Sequence, residues 1–427
     1  MKKENLKSAI TCDLDGKVLS FSKGAENIFG YKSKDVVGKM RVSDFSDGEV
    51  VLGHVINWLD IAIKDGVWEG DTTFFDKDGI EMPCHIKITP TRDKDGNHTG
   101  YLGVTSKLKD KTADDVRLKI GFGTKLFKWM VIMRLPFLSA TFVPIFAGAA
   151  VASMLGYAVS WPWLGLTLLA GSLLHIGTNT SNDYFDHQSG TDELNYNYSN
   201  QGLNGGSRSI QMGLITPKGM ANIAVATFAL SAIAGVPLII KSGMPILWLG
   251  LVGFLSGLFY TAPPFKFSSR KGMGELLIGL NFGPLMVAGS ALVQTGQLLP
   301  EAFLAGIPIG LLIAAVVYMN EFPDHDSDKQ SGKNTLIVVF GPEKARFGYV
   351  ALVASAFISI VVMALNGIFP KLTLITLISA YFGITATTTL YKHYNSRLLQ
   401  PANWGTIYLH SAAGFLFCIG IWLGTPV

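Results

Sequence analysis

From Leu135 to Asn182 the chain runs for 48 residues without one Asp, Glu, Lys or Arg. Charge this sparse excludes an ordinary soluble surface, and the 427 residues as a whole are 49% hydrophobic. Cysteine is nearly absent too. Cys12, Cys84 and Cys418 lie far apart, which excludes a disulfide framework and the familiar zinc spacings. The opening MKKENLKSAITCDLDG has no apolar stretch after its lysines, so no secretory signal is expected and the N-terminal part is expected to stay in the cytoplasm. No basic stripe with interleaved aromatics occurs, and the net charge is only +4, so nucleic acid is not an expected partner.

The charge that is present is unevenly placed. Of the charged residues, 41 fall within the first 130 positions and 25 in the remaining 297. A soluble domain followed by a membrane domain is the expected organisation. Apolar runs of about 20 residues, the length that crosses the hydrocarbon, predict nine helices. They lie near 135–157, 163–182, 219–240, 243–262, 276–298, 302–320, 347–368, 372–391 and 403–424. With a cytoplasmic N-terminus, the loops on that side carry 11 Lys or Arg against two on the other, a clear positive-inside bias.

Eleven acids follow residue 130, and eight of them crowd into two segments, Asp183 to Glu193 and Glu321 to Asp328. Ionisable groups beside lipid are costly, so such clustering points to function. The segments NDYFD and NEFPD share the order Asn, acid, aromatic, any residue, Asp, and both close helices predicted to end on the cytoplasmic face. Asn182 and Asp186 are spaced i, i+4; Asn320, Asp324 and Asp328 are spaced i, i+4, i+8, so each set shares one helix face. Like charges at these spacings repel unless a cation lies between them. Oxygen-only ligands suit Mg²⁺, which bridges a few carboxylates to substrate phosphates. Opposed clusters would hold two such ions on a diphosphate, with Arg208, Lys266, Arg270 and Lys333 available for the remaining phosphate oxygens. DHDSD begins like a calcium loop, but Lys329 and Thr335 occupy the positions that need Gly and Glu, which removes that reading. Ion transport, gated by the soluble domain as in a membrane receptor or transporter, is the alternative of another class.

NDYFDHQSGTD closely resembles the first aspartate-rich motif of the UbiA superfamily of intramembrane prenyltransferases, and NEFPDHDSDKQSGKNTL resembles the second. YTAPPFKFSSRKGMGELLIGLNFGP, from Tyr260 to Pro284, is similar to the segment joining helices 4 and 5 of that family. The resemblance implies an all-α bundle of nine transmembrane helices over 131–427, around a cavity open sideways to lipid. It implies that Asn182, Asp183, Asp186 and Asp192, with Asp324 and Asp328, bind Mg²⁺-diphosphate; Asn320 shares their face. Tyr184, Tyr260 and Tyr318 would stabilise an allylic cation or line the acceptor pocket. The spacing of Asp186 and Asp192 around Gly190 is most like the branch acting on 1,4-dihydroxy-2-naphthoate in menaquinone biosynthesis, with other aromatic or lipid acceptors as the alternative. His175 is expected to be a packed polar residue, and Arg134 an interfacial anchor.

The first 108 residues alternate short apolar runs with the Asp-Gly turns DLDGK, DKDGI and DKDGN, which predicts hairpins in an α+β domain: two strands, several helices, three strands. GKVLSFSKGAENIFGYKSKDVVGK and WEGDTTFFDKDGIEMPCHIKITPTRDKDGNHTGYLGV resemble a PAS sensor domain. Such a domain implies either a small ligand, here unknown, or a role in homodimerisation. Residues 109–130 are expected to form a connector helix, charged and then amphipathic.

Overall fold

The computed structural model describes residues 7–424 except Asp15 and 195–205; the side chains of Glu193, Leu194 and Arg397 also lie outside the described set. Asp15 belongs to the first Asp-Gly turn, and residues 1–6 to the stretch on which the cytoplasmic assignment rests. The chain divides into two compact units, Met1–Ile132 with Arg208–Thr216, and Met133–Ser207 with Pro217–Val427.

The first unit contains five antiparallel strands: β1 (Lys7–Asp13), β2 (Val18–Phe21), β3 (Trp68–Phe75), β4 (Glu81–Arg92) and β5 (His98–Lys107), in the spatial order β2-β1-β5-β4-β3. The Asp-Gly signals work as turns because the first Asp of each accepts backbone N–H groups across the loop. Asp76 Oδ1 accepts from Asp78 (3.0 Å) and Ile80 (2.9 Å), and Asp93 Oδ1 accepts from Asp95 (2.9 Å) and Asn97 (2.8 Å). Gly79 and Gly96 then take positive φ, 75° and 83°, where a side chain would be strained. Between β2 and β3 lie α1 (Lys23–Phe29), a helical stretch through Gly48–Val50 and Val51–Val55, and α2 (Ile56–Asp65). Phe21, Phe29, Phe45 and Phe74 form one core against the sheet, and Trp58 stacks on Trp68 with ring centroids 4.3 Å apart in a second. Beyond β5 the chain returns along β4. Arg117 Nε donates to Glu81 Oε1 (3.2 Å), and α3 (Phe122–Ile132) is tied down by Lys128 Nζ to Glu49 Oε1 at 2.7 Å.

The second unit is helical: α4 (Ser139–Met154), α5 (Trp161–Ser189), α6 (Pro217–Ser242), α7 (Met244–Leu258), α8 (Met273–Leu280), α9 (Met286–Thr295), α10 (Pro300–Ser331), α11 (Pro342–Leu365), α12 (Ala380–His393) and α13 (Gln400–Leu423). Seven segments among the described residues are long and apolar enough to cross a membrane, not the nine expected. Helix α5 is long enough and continues past 182 to Ser189, but Gly, Ser, Thr and His175 dilute its apolar stretch, and it is not among the seven. Helix α7 has 15 residues, about 22 Å at 1.5 Å per residue, short of a roughly 30 Å hydrocarbon core. The span expected at 276–298 is among the seven, as Met273–Thr295, although it is interrupted at Asn281–Leu285, where Pro284 lacks an N–H and Gly283 leaves helical geometry.

Small residues let these helices approach closely, as packing in lipid requires. A Cβ on Gly306 of α10 would fall 2.4 Å from Pro284 Cα, and one on Gly148 of α4 would fall 2.5 Å from Val287 O of α9. Ala147, Ala150, Ala288, Ala291, Ala302 and Ala305 fill the same core.

Candidate active site

Helix α5 remains helical through the first motif and stops at Gly190, whose φ of 74° caps it. This places Asn182, Asp183 and Asp186 on its last turns, with Asp192 buried on the following short helix Thr191–Leu194. Helix α10 likewise runs through the second motif to Ser331, with Gly332 as its left-handed cap. Pro323 within it cannot donate to the carbonyl of Met319 four residues back. Asn403 of α13 replaces that donor: its Nδ2 lies 3.3 Å from Met319 O and 2.8 Å from Asn320 Oδ1, fixing the first residue of the motif.

Each residue of the segment following α10 has a defined task. The N–H of Lys333 donates to Asp328 O (2.8 Å), and its Nζ reaches Asp186 Oδ1 on α5 at 3.0 Å. Asn334 N–H donates to Ser269 O in the segment before α8 (3.1 Å), Thr335 caps the short helix Leu336–Phe340, and Leu336 N–H donates to Glu275 Oε1 (3.1 Å). Burial by itself would lower the pKa of Lys333, but Asp186 and Asp328, with Asp192 farther off, hold it above the ordinary lysine range.

Asn182, Asp183, Asp186, Asn320, Asp324, Asp328 and Lys333 all line one cavity of about 810 Å³. Its remaining wall is largely apolar, with Leu174, Phe228, Leu247, Phe254, Leu285 and Met286 among the contributors. Asn182 Oδ1 accepts from Thr261 Oγ1 (2.9 Å). Asp183, 4% exposed, accepts the backbone N–H of Ser207 at 3.2 Å, has Arg134 Nη1 at 3.8 Å, and keeps Oδ2 buried without a protein partner. The lining contains five carboxyl groups, the four aspartates and Glu321, against two permanent cations, Arg134 and Lys333. That imbalance fits a site for divalent cations. Among the described residues no group of three or more His, Cys, Asp or Glu side chains stands close enough together to hold a metal ion by itself. Mg²⁺ needs only one or two protein carboxylates, with water and phosphate oxygens completing its shell.

Several expected residues lie elsewhere. Tyr318 is buried in the packing between α10 and α11, its hydroxyl donating to Ala345 O at 2.9 Å, and it does not line the cavity. Tyr184 is likewise outside the lining and packs edge-on against Phe185; Tyr260 is within the lining. Lys266 and Arg270 are exposed and outside the cavity lining, and Arg270 Nε donates to Phe265 O at 2.6 Å. Arg208 groups with the first compact unit. Conversely, Arg134 does line the cavity beside Asp183; its sequence signal is that it is the last charge before the 48-residue uncharged run. His175 also reaches the lining while hydrogen-bonded to Thr141 (2.9 Å), so it is packed and cavity-facing together. Ser207, Thr261, Asn403 and Glu275 had no local signal, because each acts on a motif far away in sequence.

The carboxylates of both motifs thus stand in the wall of a largely apolar cavity within a helical bundle, several of whose helices are long and apolar enough to cross a membrane. The chain belongs to the UbiA prenyltransferase family, which residues 141–419 match, and it is an integral membrane prenyltransferase. Residues 7–108 match the PAS domain family. The 1,4-dihydroxy-2-naphthoate octaprenyltransferase of Bacillus subtilis is 27% identical over 285 residues, covering 66% of this chain and 88% of that protein. The Escherichia coli enzyme of the same name is 28% identical over 306 residues, covering 69% and 95%. Among solved structures, a UbiA homolog from Archaeoglobus fulgidus bound to GPP and Mg²⁺ is 21% identical, with a TM-score of 0.49, covering 68% of this chain and 99% of that one.

Proposed function

We propose that the protein transfers a polyprenyl group from an allylic diphosphate to an aromatic acceptor, 1,4-dihydroxy-2-naphthoate, as a step of menaquinone biosynthesis. The observation that carries this reading is the joining of both aspartate motifs and Lys333 in the wall of one largely apolar cavity. The names of the Bacillus and Escherichia relatives support the acceptor. The proposed partition is a PAS domain over 1–108, a connector over 109–130 and the transferase over 131–427. The PAS domain and the active-site loops face the cytoplasm, on the positive-inside bias of the loops.

In this reading Asp183, Asp186, Asp192, Asp324 and Asp328, with Asn182 and Asn320, hold two Mg²⁺ ions. Bound there, Mg²⁺ supplies positive charge to the departing diphosphate. Lys333 takes phosphate oxygens directly, as does Arg134 from beside Asp183. The apolar walls accommodate the prenyl tail and keep water from the allylic carbon when its bond to oxygen breaks. Tyr260 offers its ring face to the resulting cation. A ring carbon of the acceptor then bonds to the allylic carbon and loses a proton, or carbon dioxide where it bears the carboxylate.

The test is to incubate the purified full chain with Mg²⁺, radiolabelled geranylgeranyl diphosphate and 1,4-dihydroxy-2-naphthoate, with an EDTA control. Metal-dependent label in a prenylated naphthoquinol is the expected result. Diphosphate binding without product would move the acceptor to another aromatic or lipid class. Neither binding nor product, in folded protein, would sink the transferase assignment of the cavity.

A further inference from the structure

The segment Arg208–Thr216 follows the first aspartate motif in the chain, yet it packs as part of the PAS unit. It forms a tight, internally bonded turn: Met212 N–H donates to Arg208 O (2.8 Å), Gly213 N–H to Ile210 O (3.0 Å) and Leu214 N–H to Ser209 O (2.9 Å). Arg208 enters it at φ 56°, a conformation costly for a residue with a Cβ and kept only where the surroundings impose it. The surroundings are PAS residues. Leu214 is 4% exposed, and its side chain lies against Gly48, where an added Cβ would fall 2.1 Å from Met212 O and 2.8 Å from Leu214 Cδ2. Only glycine leaves room for this approach. Arg208, itself 8% exposed, faces Asp44; burial pushes that carboxyl's pKa up, against the N–H of Arg41 and the charges of Arg208 and Arg41. Three residues beyond Gly48 begins the helical stretch Val51–Val55, where Gly53 meets Thr124 of α3. One short PAS segment therefore holds both the connector and the turn.

The other end of the turn is Ser207, whose N–H donates to Asp183 Oδ1, preceded by Gly206, where a Cβ would stand 2.8 Å from the same oxygen. No residue separates Ser207 from Arg208. We infer that Arg208–Thr216 is a docking element for the PAS domain, seated on Gly48 and Asp44, through which that domain positions the Ser207–Asp183 hydrogen bond and so sets the affinity of the active site for Mg²⁺-diphosphate. The inference rests on the transferase reading only for its kinetic half. Gly48, Asp44 and Leu214 are positioning residues and touch no substrate. Whatever displaces the segment Asp44–Val55 would then alter catalysis without entering the cavity.

The experiment uses the full chain and two variants, Gly48→Val on the PAS side and Leu214→Ser on the turn, in hydrogen–deuterium exchange with and without Mg²⁺-geranylgeranyl diphosphate. Near-ultraviolet circular dichroism from the stacked Trp58 and Trp68 reports whether the PAS fold persists; Leu214→Ser alters no PAS residue and keeps the test valid if Gly48→Val does not fold. The expected result is faster exchange at residues 212–214 and an apparent dissociation constant for Mg²⁺-diphosphate raised about 5-fold or more, the lower range for coupled sites. Unchanged exchange at 212–214 in folded variants overturns the docking. Faster exchange with unchanged diphosphate affinity overturns the positioning role. The exchange readout needs no turnover, so failure of the docking is distinguishable from failure of the transferase assignment.

Discussion

Lys333 Nζ stands 3.0 Å from Asp186 Oδ1, so a residue just past the second aspartate motif makes an ion pair with the first, 147 positions earlier in the chain. Both side chains are less than one-fifth exposed, and they line the cavity together. The pair joins α5 to the segment after α10 at the cavity wall, and it marks where a phosphate would compete for the lysine.

Replacing Lys333 by Met keeps the length of the side chain and removes its charge. Loss of a charge-assisted hydrogen bond of about 1.5–3 kcal/mol corresponds to a loss of about 10- to 100-fold in kcat/KM for the prenyl diphosphate. Steady-state transfer assays at saturating acceptor measure it. A change under twofold would show that Lys333 only neutralises Asp186.

Asn403 and Pro323 form a testable couple. Asn403→Leu should leave Met319 O and Asn320 Oδ1 without this donor and cost about 1–3 kcal/mol. Adding Pro323→Ala restores a backbone N–H able to reach Met319 O, so the double variant should recover part of that loss. Thermal unfolding in detergent of the wild type, both single variants and the double variant measures the coupling. Strict additivity would show that the asparagine does not stand in for the missing amide.

Tyr318 and Tyr260 should separate. Tyr318→Phe loses a hydrogen bond to Ala345 O, costing about 1 kcal/mol of stability, and should leave transfer within about twofold of wild type. Tyr260, on the cavity wall, should affect product formation when replaced by Leu while stability changes less. A large rate loss in Tyr318→Phe would contradict its placement outside the cavity.

Gly306→Val should destabilise the bundle by about 1–3 kcal/mol or more, because the new side chain meets the backbone of Pro284 and cannot be relieved by a rotamer change. Gly250→Ala, where nothing lies within 4 Å of the added Cβ, is the control. Equal melting temperatures for the two variants would refute the close crossing.

In the PAS unit, hydrogen bonds from Arg117 hold the Glu81 carboxyl below its ordinary pKa. A depressed carboxyl contributes stability above its unfolded pKa, and the contribution disappears as pH falls through the lower, folded value. The tryptophan signal of the full chain should therefore become less heat-resistant as pH drops from about 5 toward 3. Glu81→Gln should flatten that slope and lower stability at neutral pH. An identical slope in the variant would remove this ion pair from the account.

The sequence by itself determined the division into a charged N-terminal part and an apolar remainder, because charge and hydropathy are properties of composition that no packing alters. It determined the strand–helix–strand order of the PAS domain through Asp-Gly turns, whose bonds span at most four residues. It also determined the two aspartate motifs, since i, i+4 spacing becomes a shared face wherever the chain stays helical. Of the nine membrane-crossing helices expected, seven are long and apolar enough among the described residues. The absence of charge does not register that α7 ends after 15 residues at Leu258, or that small and polar residues thin the hydropathy of α5. Only the tertiary structure decided which cations meet the aspartates, bringing Arg134 and Lys333 to the cavity wall and leaving Lys266 and Arg270 exposed. Proximity in sequence to a motif does not orient a long side chain; the packing of distant elements does. The same holds for Arg208–Thr216, whose sequence belongs to a loop after the first motif and whose partners, Asp44 and Gly48, lie about 160 residues earlier.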